Sequence, residues 1–308
     1  MSEKMATRQA YGEVLLELGE KNKNIIVMDA DLSKSTMTTH FAGKYPDRFF
    51  NMGISEQNLF GVAAGLAHSG KIVFASTFAM FAAGRAFEII RNSIGYTKAN
   101  VKICATHAGI TVGEDGGSHQ TIEDIALMRT IPGMTVISPA DGASAKILIE
   151  EAAAMQGPVF VRLGRAAVPG IYEADSEVKI GKGMCVNEGS DYTVIATGIM
   201  VNEALQAATI LKEEGISLRV IDMHTIKPID ADIIIQAAKE TKGIVTAEEH
   251  SVVGGLGSAV SEVVAKHAPV KMAFVGLQDT FGESGKPAEL MEKYGLTAKD
   301  IVAAVKGL

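Results

Sequence analysis

The chain reads as α/β, with two doubly wound domains built on mainly parallel sheets. Apolar runs of strand length alternate with helix-period segments in both halves, which implies parallel strands covered by helices. A polar stretch from residue 165 to 190, with several Gly and Pro and no clear period, interrupts that alternation. At 308 residues and 47% apolar, the chain can bury two ordinary cores.

Taken in order, residues 25–30 form a strand and 57–68 a helix, which Ser55 can cap while Glu56 favours the dipole of its first turn. Strand 71–75 precedes helix 80–97, strand 101–106 precedes helix 121–129, and strand 134–138 precedes helix 143–155 and strand 159–163. The second alternation runs through strand 192–197, helix 201–214, strand 218–222, helix 231–241, strand 243–247, helix 257–266 and strand 270–275, and 287–307 reads as two helices. The expected domains are 1–168 and 191–308, joined by a linker at 169–190. Sheets of this kind carry ligands at the carboxyl ends of their strands.

Charge and composition narrow the function. Lys+Arg of 29 against Asp+Glu of 36 gives −7, with no basic block, so neither nucleic acid nor an anionic membrane is an expected partner. The N-terminus has no apolar signal core and no run approaches a membrane span, so the expected location is cytoplasmic. Cys104 and Cys185 lie in apolar runs without metal-ligand spacing and are expected as two buried thiols in a reducing compartment.

Chemistry concentrates in a few places. Gly-Glu-Asp-Gly-Gly-Ser-His-Gln at 113–120 follows His107, and such a loop is poor core material but suits a polar ligand. His107 and His119 bracket Glu114 and Asp115, an arrangement fitted to proton transfer and hydroxyl recognition. Glu56 in Gly-Ile-Ser-Glu-Gln is either a helix-start residue or a carboxyl group on the rim of an apolar pocket, able to share a proton with a cofactor ring nitrogen. Phe78 and Phe81 are either core or, amid Ala and Gly, the walls of a slot for a heteroaromatic ring. Gly254-Gly255-Leu256-Gly257 lacks the full spacing of a dinucleotide turn and follows no first strand, so it is read as no nucleotide site.

In combination these residues resemble the C-terminal half of transketolase, as found in the small subunit of split transketolases. The match runs in family order through Ala6-Thr7-Arg8, Ala30-Asp31-Leu32-Ser33-Lys34-Ser35, Gly53-Ile54-Ser55-Glu56-Gln57, Thr106-His107, the glycine-rich loop and Ser138-Pro139-Ala140-Asp141-Gly142. In the second half, the segments Asp222–Pro228 (Asp-Met-His-Thr-Ile-Lys-Pro) and 281–285 (Phe-Gly-Glu-Ser-Gly) continue it. The resemblance implies a pyrimidine-binding domain followed by a transketolase C-terminal domain. It also implies transfer of a two-carbon ketol unit from a ketose phosphate to an aldose phosphate with thiamine diphosphate and Mg²⁺.

By the same resemblance Glu56 hydrogen-bonds the aminopyrimidine and promotes the tautomer that deprotonates C2 of the cofactor, placing the hard chemistry on the cofactor. Phe78 and Phe81 line the pyrimidine slot, Asp31 lies on the thiazolium side, and His119 stands beside the cofactor amino group and the transferred carbons. Asp115 reads a sugar hydroxyl, while Arg8, Ser35, His107 and Arg165 hold the sugar-phosphate acceptor, two arginines being suited to a phosphate dianion. Gly84 replaces the tyrosine that full-length members commonly place six residues after the first phenylalanine. No Gly-Asp-Gly motif with a following Asn is found for Mg²⁺ and diphosphate. A partner subunit with the diphosphate-binding domain is therefore expected to hold both, in an assembly with two copies of each chain.

Two related readings compete, the beta chain of a 2-oxoacid dehydrogenase decarboxylase and a split 1-deoxyxylulose-5-phosphate synthase. The glycine-rich loop and the paired arginines argue against the first, and the second family is normally one chain. A cofactor-free regulatory subunit on the same fold is the non-enzymatic alternative.

Overall fold

Apolar runs that alternate with helices pair in parallel, because each helix returns the chain to the same end of the sheet. The structure, a computed structural model, describes residues 4–308. The chain divides into two units, Met1–Ala108 with Leu127–Ile180, and Gly109–Ala126 with Gly181–Leu308.

Up to residue 168 the elements are β1 (Met5–Ala6), α1 (Thr7–Lys21), β2 (Ile25–Asp29), α2 (Ser33–Thr36), α3 (Thr39–Lys44), β3 (Phe49–Asn51), α4 (Glu56–His68), β4 (Ile72–Phe78), α5 (Phe87–Ile89), β5 (Val101–Thr106), α6 (Asp124–Arg129), β6 (Thr135–Ile137), α7 (Gly142–Ala154), β7 (Val159–Arg162) and β8 (Ala167–Val168). Within the first unit the sheet runs β6-β7-β5-β4-β2-β3, with every neighbouring pair parallel. Its central strands are buried along their whole length, as expected of a sheet covered on both faces. Helix α1 turns Ala10, Tyr11, Val14, Leu15 and Leu18 inward, and the Tyr11 hydroxyl meets Ser76 Oγ at 2.7 Å.

Polar side chains hold the loops of this unit. Asp141 Oδ1 accepts from Ser144 N at 2.8 Å and caps α7, while its Oδ2 accepts from Ile171 N at 2.6 Å and Tyr172 N at 2.9 Å. Lys102, fully buried in β5, donates to the carbonyls of Met155 and Gly157 at 2.9 Å each, and burial lowers its ammonium to about 8.

The helix expected over 80–97 is not one regular α-helix. Two π-helical turns, Phe81–Arg85 and Ile90–Tyr96, flank α5, and the Ala86 N–H reaches back five residues to Phe81 O at 3.2 Å. Apolar spacing does not distinguish a wide turn from a regular one, since both keep roughly the same face inward.

The second unit contains β9 (Met184–Asn187), β10 (Tyr192–Ala196), α8 (Met200–Glu213), β11 (Leu218–Asp222), β12 (Thr225–Lys227), α9 (Ala231–Glu240), β13 (Gly243–Ser251), α10 (Leu256–His267), β14 (Lys271–Leu277), α11 (Pro287–Lys293) and α12 (Ala298–Lys306). Its sheet runs β14-β13-β10-β11-β9, parallel except for β9, an antiparallel edge strand on β11. Strand β9 was not expected, because its residues lie in the polar stretch with no apolar alternation. Cys185, expected to be buried, is exposed on that strand, because an edge strand with a half-covered face leaves its side chain toward solvent. Cys104 is buried, and burial pushes its thiol up to about 12.

The turn before α10 is a packing turn. Glu248, 1% exposed, accepts from Leu256 N at 2.6 Å and Gly257 N at 2.8 Å, so the helix start is already occupied by a carboxylate of the chain itself. A Cβ at Gly255 would lie 2.0 Å from Glu248 Oε2. No helix among the described residues is long and apolar enough to cross a membrane.

Candidate active site

In the first unit the candidate residues sit at the carboxyl ends of four parallel strands, where the loops of an open sheet diverge. Asp31 follows β2, Phe78 ends β4, His107 follows β5 and Arg165 follows β7. Glu56 opens α4 and is 2% exposed. Ser55 stands at the cap position of that helix, yet its side chain makes no capping bond.

Close to Glu56, flat side chains stack on one another. Phe78 and Phe81 stack with centroids 6.0 Å apart and planes 13° from parallel, and the His107 ring lies 3.9 Å from Phe78. His107 takes a left-handed backbone conformation at φ 57°, and its Nδ1 meets Thr106 Oγ1 at 2.9 Å, which fixes the ring against the aromatic wall. Arg85 was not singled out by sequence reasoning. Its Nη1 donates to Glu56 Oε2 at 2.8 Å, and its guanidinium lies 4.7 Å from the Phe81 ring centroid. The available signal was an arginine next to the departure at Gly84, inside a segment otherwise of Ala, Gly and Phe.

A second group forms where the chain's early and later segments pair. Met5–Ala6 and Ala167–Val168 are antiparallel partners, Thr7 Oγ1 accepts from Gly164 N at 2.8 Å, and this brings Arg8 and Arg165 near each other. Arg8 Nη1 donates to the carbonyl of Ser35 at 2.6 Å, and its buried Nε has no hydrogen-bond partner among the described residues. Burial first, and then the charge of Arg165, lowers the Arg8 guanidinium below its ordinary value. Two cations and an orphaned donor held together are an arrangement that an anion would relieve.

Asp31 is also backbone-strained, at φ 66°. It exchanges two hydrogen bonds with Asn51: the Asp31 N–H donates to Asn51 Oδ1, and Asn51 Nδ2 donates to Asp31 Oδ1, both at 3.0 Å. Beneath it, buried Asp29 accepts from Leu32 N at 2.5 Å, Thr36 Oγ1 at 2.6 Å and Thr38 Oγ1 at 3.0 Å, which fixes α2 and with it Ser35. Burial raises the Asp29 carboxyl, and these three donors oppose the rise. Sequence reasoning also missed Asp29 and Asn51, since neither belongs to a motif.

Asp115 and His119 belong to the second unit. Ile110–Asp115 is tight helical structure broken by a kink at Gly113, Glu249 Oε1 accepts from Thr111 N at 2.6 Å, and Gln120 Nε2 donates to the carbonyls of Ile110 at 3.1 Å and Glu283 at 2.9 Å. The loop thus lies against 281–285 so closely that a Cβ on Gly282 would come within 1.9 Å of Gln120 Oε1 and one on Gly117 within 2.7 Å of the Gly282 carbonyl. Asp115 is left exposed, and His119, half-buried, has its Nδ1 3.0 Å from Ser118 Oγ.

The family model described as transketolase, pyrimidine binding domain, matches residues 3–170, and that of the transketolase C-terminal domain matches residues 181–301. A protein of Methanocaldococcus jannaschii, provisionally named a transketolase C-terminal section, is 54% identical over 97% of this chain and 94% of its own length. A 6-deoxy-6-sulfo-D-fructose transketolase subunit, SqwH, of Clostridium sp. strain MSTE9 is 42% identical over 96% of this chain and 92% of its own. Among solved structures, a split gene transketolase described as an inactive β4 tetramer superposes with a TM-score of 0.91 at 55% identity, covering 99% of this chain and 98% of that one.

Proposed function

This chain belongs to the transketolase family, whose members depend on thiamine diphosphate, and from that membership we propose that it is the small subunit of a two-chain enzyme moving a two-carbon ketol unit from a ketose phosphate to an aldose phosphate. The pyrimidine-binding domain is assigned to 1–168 and the C-terminal domain to 181–308, the linker expected at 169–190 being shortened because β9 already belongs to the second sheet. A partner subunit supplies the diphosphate-binding domain and holds Mg²⁺, with two copies of each chain in the assembly. Relatives of nearly the same length, one of them called a subunit and one a split gene product, support this arrangement.

The observation that carries the reading is the stack of Phe78 and Phe81, joined through Arg85 to the buried Glu56 carboxylate, which supports a slot for a flat ring there. Arg85 already makes there the two interactions an aminopyrimidine ring would make, a stack on an aromatic face and an N–H to the carboxylate. The residues therefore fit the cofactor. When bound, thiamine diphosphate supplies the electron sink that lets a carbon–carbon bond beside a carbonyl break and re-form. Glu56 would share a proton with a pyrimidine ring nitrogen, Phe78 and Phe81 would hold the ring flat, and Asp31 would line the thiazolium side. His119 handles a proton near the transferred carbons, Asp115 accepts from a sugar hydroxyl, and Arg8, Ser35, His107 and Arg165 grip the acceptor phosphate.

Mixing the purified chain with the diphosphate-binding subunit, Mg²⁺ and thiamine diphosphate should give ketol transfer between sugar phosphates that neither chain gives alone. Comparable turnover by this chain alone, with contaminating partner excluded by mass spectrometry, would overturn the two-chain reading. Efficient oxidation of a 2-oxoacid by the assembly would reassign it to the dehydrogenase group.

A further inference from the structure

Arg85 has no catalytic or binding role in the reading above, yet its side chain bridges Glu56 and the Phe81 ring. Its guanidinium is a flat cation, it lies 4.7 Å from the Phe81 centroid, and it donates to Glu56 Oε2 at 2.8 Å. A protonated aminopyrimidine is likewise a flat, electron-poor group that stacks on an aromatic face and donates N–H to a carboxylate. The side chain is also free to leave. It is 48% exposed, and it closes a π-helical turn next to Gly84, where an added Cβ would meet only the flexible end of Met80.

Resting on the assignment of this slot to the cofactor ring, we infer that Arg85 is a built-in occupant of the pyrimidine subsite, paired with Glu56 and stacked on Phe81 until the ring displaces it. Paired with Glu56, the guanidinium balances the charge of a carboxylate that is otherwise out of water, which would be costly if left unpaired. On loading, Arg85 swings into solvent and the ring takes over both its contacts. Cofactor binding therefore competes with an internal ligand. The competition costs affinity by the strength of a half-exposed ion pair and a cation–π contact taken together, roughly five- to thirtyfold.

The test uses the assembled wild-type enzyme with Mg²⁺ and thiamine diphosphate as the probe. Affinity is read by isothermal titration calorimetry and association rate by rapid filtration of radiolabelled cofactor. Arg85→Ala should bind the cofactor roughly five- to thirtyfold more tightly, with most of the gain in a faster association. Arg85→Lys, which keeps the charge but lacks the flat stacking face, should fall between the two. Arg91→Ala, removing an exposed arginine that bonds Asn92, serves as the control and should match wild type.

A merely structural role for Arg85 cannot raise the association rate. Unchanged or weaker binding by Arg85→Ala would overturn the inference while leaving the proposed function standing. If Arg85→Ala lowers the melting temperature of the cofactor-free assembly enough to spoil the titration, Arg85→Gln keeps a hydrogen bond to Glu56 without charge and should still bind more tightly. Failure of both variants to gain affinity overturns the inference. A folded wild-type assembly that binds no thiamine diphosphate would overturn the function itself, and with it any such role for Arg85.

Discussion

Replacing Arg165 by alanine tests the proposed phosphate grip through the group that the structure places beside Arg8. The pairing of Met5–Ala6 with Ala167–Val168 brings the two segments together, and the Arg8 guanidinium is already lowered by burial and by the neighbouring charge. With Nη1 committed to the Ser35 carbonyl, Arg8 keeps its unpartnered Nε for a dianion, and Arg165 beside it should supply a further charge-assisted hydrogen bond. Losing one such bond costs about 1.5–3 kcal/mol, or roughly a ten- to hundredfold fall in kcat/KM. The assay is ketol transfer by the assembled enzyme to an aldose phosphate and, in parallel, to the same aldose without phosphate. Only the phosphorylated acceptor should show the fall, and Arg165→Lys should recover part of it, because a point charge replaces a bidentate fork. Equal losses on both acceptors would refute the reasoning and leave Arg165 as a support for the β1–β8 pairing.

Other perturbations address the carboxylate, the loop anchor and acid stability. Glu56→Gln should lower turnover by about 10²–10⁴-fold with the fold intact, because an amide cannot share the proton, and wild-type exchange of the cofactor C2 proton, followed by NMR, would return Glu56 to a helix-start residue. Asp141→Ala strips one cap bond and two loop N–H partners in a buried place, so urea denaturation should show a loss of about 3–5 kcal/mol, and a loss below about 1 kcal/mol would mean that water replaces the carboxylate. His224 is fully buried with its Nδ1 on Thr225 Oγ1 at 3.0 Å, and burial lowers it from 6.5 to about 4. The unfolded chain then binds more protons between those two values, so stability falls as pH drops through that window, by about 2 kcal/mol from this residue at pH 5. His224→Gln should flatten that part of the stability–pH curve measured by thermal melting, and an unaltered slope would show that carboxylates alone set it.

Much of the fold was legible because its elements are long and periodic. Strands such as Ile25–Asp29 and Val101–Thr106 are continuous apolar runs, and α7 and α8 have helix-spaced small and apolar residues between turn signals, so local pattern and tertiary burial agree. Glu56, the phenylalanine pair and the glycine-rich loop were legible as motifs, because residue type and spacing carry their chemistry. The edge strand β9 and the exposure of Cys185 were not, because an edge strand is selected by the pairing of its neighbour rather than by its own alternation.

By itself, then, the sequence determined most of the longer periodic elements from residue 25 onward, their parallel pairing and the residue types offered at the strand ends. These follow from burial periodicity and turn chemistry, which are local. Tertiary structure decided the rest: that residues 5–6 and 167–168 pair and set two arginines side by side, that the glycine-rich loop is anchored by Glu249 and the carbonyl of Glu283, and that Arg85 reaches Glu56 across a π-helical turn. Each joins residues far apart in the chain, or depends on one extra residue in a helical turn. Such distances are set by how whole elements pack, and no local pattern encodes them.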